Sequence, residues 1–450
     1  MEIQNMKFLV VGTGKSGLAA VSLLKEKECK VRLYDGNEQL DIQNLIENNS
    51  FLEGVEISCG KLRESWMEET DILVLSPGVP TDLPFVLKMR ELGKKIWGEI
   101  ELAYTFSKGQ VIAITGTNGK TTTTTLVGEI MKAHFAKVDV VGNIGMPYTN
   151  VAASQEEDSV TVAEISSFQL ETVESFHPVV SAILNITPDH LNRHHTMEKY
   201  IEAKEQICLN QTKDDVCVLN FDNKYTKEFA SRCNATVIGF SSAGRLENGF
   251  YYENGEIYRD GKALMKVNEM NLVGMCNIEN VMAALAIAEA MKVPVETSLA
   301  VIRQFKAVEH RIEFVATKNG VDYYNDSKGT NPDAAIQGIK AMTKPTILIG
   351  GGYDKGSEYD EWIECFDNKV KLLVLIGATR EKIAECARRH GIENIVFADS
   401  FEEAMDICVE NAKSGDAVLL SPACASWGMF KSYEERGEIF KNIVNAIREN

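Results

Sequence analysis

Val111-Ile-Ala-Ile-Thr-Gly-Thr-Asn-Gly-Lys-Thr-Thr122 is the stretch on which the reading of the chain turns. An apolar β-type run enters Gly116-Thr117-Asn118-Gly119, and Lys120, Thr121 and Thr122 open a helical pattern that ends near Phe135. Glycines let successive backbone N–H groups face one anion, and the new helix N-terminus adds its positive dipole end. Lys120 would neutralise β- and γ-phosphate oxygens, and the Thr121 hydroxyl would reach Mg²⁺. The common phosphate-loop pattern asks for a further glycine where this chain has Ile114, so the loop is a shortened variant. A plain glycine-rich turn with an exposed lysine is the competing account. It leaves the joint occurrence of strand, glycines, Lys-Thr and helix unexplained.

Outward from this loop, short β-rich runs alternate with helical patterns, which predicts α/β domains with largely parallel sheets. A length of 450 residues suggests three domains at roughly 150 residues each. The expected fold is a Rossmann-like domain at 1–98, a P-loop ATPase-like central domain at 99–307 and a Rossmann-like C-terminal domain at 308–450. The first has strands at Lys7–Val11, Lys30–Tyr34 and Asp71–Leu75 and a helix from about Ser16 to Glu26. The second runs through VTVAEI, VVSAILNIT and VCVLNFD to an Ala-rich helix around Ile278–Met291. From Thr236 to Lys266, Asn-Gly and Asp-Gly pairs add a small antiparallel hairpin region to its parallel sheet. The third repeats strand–helix units from VDYYNDS to AVLLSPA.

The formal net charge of −18 argues against nucleic acid or anionic membrane as a general partner. An anionic ligand must therefore be held by helix N-termini, individual Lys or Arg side chains and metal ions. No apolar run approaches the ~20 residues that span a bilayer, and the start lacks a signal-peptide pattern. The ten cysteines are scattered, Cys208 and Cys217 being the nearest pair, with no CxxC-type metal or redox spacing. Free cysteines at that density predict a cytoplasmic protein.

A second glycine-rich loop, Gly12-Thr-Gly14-Lys-Ser-Gly17, follows the first strand, and Asp35 ends the second. Alone it matches a dinucleotide fingerprint and suggests a nicotinamide-dependent oxidoreductase. The physics requires only a diphosphate on a helix N-terminus, near Gly14, Lys15 and Ser16, with a carboxylate to accept an N–H or O–H. A UDP-linked substrate meets the same geometry.

Three further residues sit where chemistry is expected. Glu164 ends the strand in VTVAEI, at the ligand-facing edge of a parallel sheet; it binds a metal there or stays a solvated strand-end charge. Pro188-Asp189-His190 reaches the same edge, and His190 is either a ligand or structural. Lys204 lies on a helix spanning Thr196–Asn210, and periodicity alone puts it on a solvated face beside Glu202 or Glu205. In the third section Lys355 follows the strand Thr346–Gly350 and Ser426 follows Ala417–Ser421, both at crevice-facing strand ends. An exposed loop charge is the other account of Lys355.

GTNGKTT, GNIG (Gly142–Gly145), EISSFQLE, TPDHLNRH, the lysine in YIEAKEQ, EHR, NDSKGTNP, GGYDKG and LSPACASWGMF occur in order over most of the chain. Together they closely resemble the Mur ligases, and EISSFQLE with LSPACAS resembles the D-glutamate-adding branch. The resemblance implies amide-bond formation between D-glutamate and UDP-N-acetylmuramoyl-L-alanine, driven by ATP with two Mg²⁺ ions; a monomer is expected, although the sequence does not fix the oligomeric state. It implies a uridine-binding first domain, an ATP-binding central domain and a C-terminal domain that receives the amino acid. Gly116, Thr117, Asn118, Gly119, Lys120, Thr121 and Thr122, with Asn277, Arg311 and Asp326, would contact ATP. Thr121, Glu164, His190 and a carbamylated Lys204 would surround the metal, and Lys120, Glu164, His190 and Lys204 would be catalytic. Gly14, Lys15, Ser16, Asp35, Asn143, Gln169 and His190 would hold the UDP substrate. Lys328, Thr330, Lys355, Ser426 and Tyr433 would surround D-glutamate. Two positions depart from the family pattern. Cys276 stands where its adenine-side helix often has His, and Gly36-Asn37 offers no basic side chain to the uridine.

Overall fold

The structure, a computed structural model, describes residues 3–448. Its strands form three sheets. The first contains β1 (Lys7–Val11), β2 (Lys30–Asp35), β3 (Glu56–Cys59), β4 (Ile72–Leu75) and β5 (Lys95–Gly98), in the order β3-β2-β1-β4-β5. All its pairings are parallel, as in half of a dinucleotide-binding fold, and the order reverses beside β1, where Gly12–Gly17 lies. Residues alternate along β1. Phe8 and Val10 enter one core cluster, while Leu9 and Val11 pack with Trp66, Val86 and Met89 on the other face. Both faces are apolar because both carry helices.

The second sheet comprises β6 (Gln110–Thr115), β7 (Val138–Gly142), β8 (Val160–Glu164), β9 (Val180–Ile183), β10 (Val216–Asn220), β11 (Thr236–Ser241), β12 (Gly249–Glu253), β13 (Glu256–Arg259) and β14 (Lys262–Lys266). Its order is β14-β13-β12-β11-β10-β9-β6-β8-β7. The antiparallel region is smaller than expected. β11 pairs in parallel with both β10 and β12, and the reversal starts only at β12–β13. The predicted turns are there: Asn254-Gly255 and Asp260-Gly261 have positive φ at both positions, as two-residue hairpin loops require.

The third sheet has β15 (Glu313–Lys318), β16 (Val321–Asn325), β17 (Thr346–Gly351), β18 (Val370–Ile376), β19 (Ile395–Phe397) and β20 (Ala417–Leu420), in the order β15-β16-β20-β17-β18-β19. Only β15 runs antiparallel to its neighbour. Packing divides the chain into two units. One holds Met1–Met265 and Val281–Ile302, and the other holds Lys266–Asn280 and Arg303–Asn450. The first unit joins its two sheets through one apolar cluster that includes Val10, Trp97, Ile100, Ala113 and Ile183. Buried Glu101 adds a polar tie by accepting backbone N–H bonds from Glu174 (2.8 Å), Ser175 (2.7 Å) and Phe176 (3.1 Å). No helix among the described residues is long and apolar enough to cross a membrane.

Candidate active site

β6 delivers the phosphate loop at its carboxyl end, and the helix Lys120–Lys132 starts directly after Gly119. Gly119 sits at φ 83°, a left-handed conformation that a side chain would strain. The loop is braced from the neighbouring strand. Asn185 Oδ1 accepts from Asn118 N (2.8 Å), its Nδ2 donates to Asn118 O (3.1 Å), and its carbonyl accepts from Thr117 N (2.9 Å). Thr117 Oγ1 donates to Thr187 O (3.1 Å) and lies 3.0 Å from Tyr200 Oη. Lys120 folds back over the loop, its Nζ donating to the carbonyls of Gly116 and Thr117, each at 2.9 Å. Thr121 and Thr122 are buried in the first helical turn. Asn185 and Tyr200 are absent from the residues singled out in the sequence. VVSAILNIT holds Asn185 in plain view, but nothing local marks it as the brace of a loop on another strand.

Lys204 overturns the solvated-face expectation. Its helix, Met197–Glu205, turns this side onto the loop, and Lys204 is only 1% exposed. Its Nζ donates to Gly116 O at 2.7 Å and lies 4.7 Å from the Tyr200 ring centroid. Glu205 is engaged elsewhere, accepting from Arg232 Nη1 at 2.6 Å. Burial, and next the Lys120 ammonium, push the Lys204 pKa well below the usual lysine range, with Asp189 acting in the opposite direction. Burial of this kind disfavours the ammonium form relative to an exposed lysine.

Glu164 is buried as well, at 2% exposure, so the account of a solvated charge fails for it too. It lies opposite Ile114 on β6, two residues before the loop. One carboxylate oxygen accepts from Asn143 Nδ2 (2.8 Å), and the other is buried with no hydrogen-bond partner. Leaving a buried charged acceptor unsatisfied costs about 1–3 kcal/mol or more. A hard divalent cation, which takes oxygen ligands, suits that unsatisfied acceptor beside the glycine loop. His190 sits at the rim with φ 54° and a 45% exposed side chain, edge-on to Phe168 at 4.9 Å.

The other glycine loop is built differently. Gly17 packs so closely that a Cβ would lie 1.9 Å from Gly12 O. Asp35 accepts from Thr13 N (2.9 Å), Thr13 Oγ1 (2.7 Å) and Asn37 N (2.9 Å). Burial raises its pKa, but these bonds outweigh burial and hold the carboxyl below the usual range. Gly14 and Lys15 are exposed. Glu99, which the sequence reading passed over, connects Ser16 to Gln169. It accepts from Gln169 Nε2 (3.3 Å) and Tyr148 N (2.7 Å). Burial raises its carboxyl pKa against hydrogen bonds from Ser16, Tyr148 and Gln169. Gln169 also closes a capping box with Ser166, accepting from Ser166 N at 2.9 Å.

In the second unit, Asp326 is buried just past β16. It accepts from Ser421 Oγ (2.7 Å) and Ile312 N (3.2 Å). Burial pushes its pKa up to about 6, against the Arg311 guanidinium and these two bonds. Arg311 lies between His310 (φ 64°) and Ile312 (φ 47°). Positive φ at a β-branched residue such as Ile312 costs of order 1–3 kcal/mol and marks a segment whose conformation is imposed by its surroundings. Asn277 Nδ2 donates to Val273 O (2.8 Å), and its neighbour Cys276 feels both Arg311 and Asp326. These three expected nucleotide residues thus lie in one neighbourhood of that unit. Lys328 Nζ sits 5.3 Å from the Tyr433 ring, and fully buried Arg436, on the helix Tyr433–Ala446, fixes the Lys328 loop by donating to Ser327 O (2.7 Å) and Ser327 Oγ (2.9 Å). Thr330 is partly buried two residues beyond Lys328. Lys355 is exposed over Trp427, 5.5 Å from the ring, and Ser426 next to that tryptophan is buried.

Three family descriptions match along the chain: Mur ligase MurD-like, N-terminal domain at 6–98, Mur ligase middle domain at 114–288, and Mur ligase, glutamate ligase domain at 310–424. The UDP-N-acetylmuramoylalanine–D-glutamate ligase of Lachnospira eligens is 58% identical, with 99% of this chain and 100% of that one covered. The enzyme of the same name from Clostridioides difficile is 46% identical, with both chains covered in full. Among solved structures, UDP-N-acetylmuramate-alanine ligase from Thermotoga maritima superposes with a TM-score of 0.62 at 18% identity, covering 98% of this chain and 100% of that one. The MurF ligase of the same organism, solved with ADP, gives 0.60 at 16%, covering 99% and 96%. At such identities these two structures bear on the fold alone, and they carry the same three-domain α/β architecture. The chain belongs to the Mur ligase family, within the group of UDP-N-acetylmuramoylalanine–D-glutamate ligases.

Proposed function

We propose that this chain is the ATP-dependent ligase that joins D-glutamate to UDP-N-acetylmuramoyl-L-alanine in peptidoglycan precursor synthesis, releasing ADP and phosphate. The observation that carries the reading is the buried Lys204 amine bonded to the phosphate loop, its pKa lowered chiefly by burial, together with a buried Glu164 oxygen that lacks a partner. Joining a carboxylate to an amine in water is uphill, so the alanine carboxylate first attacks the γ-phosphate, forming an acyl phosphate. The D-glutamate amine then displaces phosphate. Bringing two unit negative charges to ~3.5 Å costs about 5 kcal/mol at an effective dielectric of about 20, and several such repulsions act together. Lys120 and the N–H groups of Gly116–Thr122 offset that repulsion by holding the triphosphate. Two Mg²⁺ ions, when bound, supply further charge neutralisation. Thr121, Glu164, His190 and Lys204 would hold them.

An uncharged Lys204 amine is the form that adds carbon dioxide. Nitrogen bonds to carbon, one proton leaves, and the side chain becomes a carbamate whose oxygens suit a hard cation. Residues 1–98 would serve the uridine end, through Gly14, Lys15, Ser16 and Asp35. The central region, 99–307, would hold ATP and, through Asn143, Gln169 and His190, the muramoyl-alanine end. Asn277, Arg311 and Asp326 are assigned to the nucleotide. In 308–450, Lys328, Thr330, Lys355, Ser426 and Tyr433 are assigned to D-glutamate. Gly36-Asn37 leaves the uridine to contacts other than a basic side chain. We assign the chain to the cytoplasm, as a monomer. The test is labelled bicarbonate: native protein should give a carbamate carbon signal, and Lys204→Ala should lack it. An identical signal in the variant would remove Lys204 from this role.

A further inference from the structure

Three of the ten cysteines converge, although no sequence spacing brings them together. Cys208 ends the 3₁₀ turn Gln206–Cys208 that follows the helix bearing Lys204, Cys217 lies in β10, and Cys233 follows the helix Lys224–Phe229. Their three sulfurs all lie within 4.8 Å of one another. Three sulfurs around one metal at M–S distances of about 2.3 Å lie roughly 4.0 Å apart, so side-chain shifts of less than about an ångström close the triangle. Cys217 is wholly buried and Cys208 nearly so, whereas Cys233 is partly exposed and offers an entry path.

Each thiol alone would pass for a small core hydrophobe. Three aimed at one point form a donor set. Binding a metal requires the thiols to deprotonate, so the occupied set carries negative charge. Arg232, ion-paired with Glu205, feels Cys208 and offsets part of the negative charge. No His, Asp or Glu among the described residues joins the three-cysteine group. Structural zinc sites are almost always four-coordinate. Thiolates also select Cu(I), and a three-sulfur set suits it.

We propose that Cys208, Cys217 and Cys233 form a three-thiolate site for a soft thiophilic cation, Cu(I) being the best fit. Binding releases thiol protons to solvent and involves no change of oxidation state. The experiment titrates the full-length, reduced chain under anaerobic conditions with Cu(I) held by a chromophoric chelator such as bicinchoninate. The native chain should remove one equivalent and develop ultraviolet thiolate-to-copper absorption. Cys208→Ser, Cys217→Ser and Cys233→Ser should each lose that equivalent, and Cys59→Ser should keep it. Cys233→Ser changes a partly exposed side chain, so it decides the matter if a buried variant fails to fold. Failure of the native chain to capture copper, retention by Cys233→Ser, or one equivalent of Zn²⁺ held where Cu(I) is not, overturns the proposal.

Discussion

The two glycine-rich loops, Gly12–Gly17 and Gly116–Gly119, each join a parallel strand to a helix N-terminus, yet their surroundings differ in kind. Around the first, charge is already satisfied: Asp35 accepts three hydrogen bonds, and Lys15 projects outward. Around the second, charge is buried and pressed together: Lys120 and Lys204 both donate to Gly116 O, and a Glu164 oxygen has no partner. Stored electrostatic cost of that sort is what a site needs if its energy is to be released on an incoming polyanion and metal. A loop proposed only to dock a diphosphate needs backbone shape and little else. The glycine pattern is shared; the chemistry comes from what is buried beside it.

That contrast can be broken at graded strengths. The largest effect is expected for Lys204→Ala, which should abolish turnover in a folded protein, with partial recovery on adding a short-chain carboxylate. Full activity would return Lys204 to the role of a packing residue. Next, Lys120→Ala should lower kcat by about two orders of magnitude, as when a charge partner of the transition state is lost. The matched Lys15→Ala should raise KM for the UDP substrate by no more than about fivefold, since backbone N–H groups at the helix N-terminus already meet a diphosphate and a lysine left in solvent adds about 1 kcal/mol at most. Equal losses in steady-state kinetics would erase the distinction between the loops.

Lys355→Ala, remote in sequence from both loops, serves as a control. It should weaken D-glutamate binding by about 1.5–3 kcal/mol through loss of a charge-assisted bond, leaving KM for ATP unchanged. An unchanged KM for D-glutamate would remove Lys355 from the site. Gly17→Ala should cost about 1–3 kcal/mol of stability in thermal or denaturant melts, because its Cβ would press on Gly12 O. The smallest effect concerns pH. The folded pKa of Asp35 lies below the ordinary value, so its stabilisation is present above the unfolded aspartate pKa. It is lost as pH falls through the lower folded value. Asp35→Asn should therefore flatten the acid limb of the stability–pH curve. Asp326 acts with the opposite sign: its folded pKa of about 6 is raised, so folding binds an extra proton and stability falls as pH rises from about 4 to 6. Asp326→Asn should remove that fall.

Much of the fold was legible because its signals are local. β1 runs Lys7–Val11 as predicted, and both Asn-Gly and Asp-Gly turns form hairpins. β4 starts one residue late, at Ile72, and the helix expected over Thr196–Asn210 shortens to Met197–Glu205 before a 3₁₀ turn. The early part of the supposed hairpin region joined the parallel sheet because β11 has strands to pair with on both sides, which no turn signal reveals. At the site, motif residues were legible and their burial was not. Lys204 bonds to a carbonyl 88 residues earlier, and periodicity along its own helix carries no information about that partner. Asn185 and Glu99 were missed for the same reason, since each acts on a loop supplied by another strand. The cysteine triangle is the extreme case, created wholly by tertiary placement.

The most direct test of the central claim is product analysis with purified chain, ATP, Mg²⁺, UDP-N-acetylmuramoyl-L-alanine and a panel of amino acids. ADP and phosphate should appear in step with a new amide product only when D-glutamate is present. AMP as the product, a different preferred amino acid, or phosphate release indifferent to both other substrates would contradict the account.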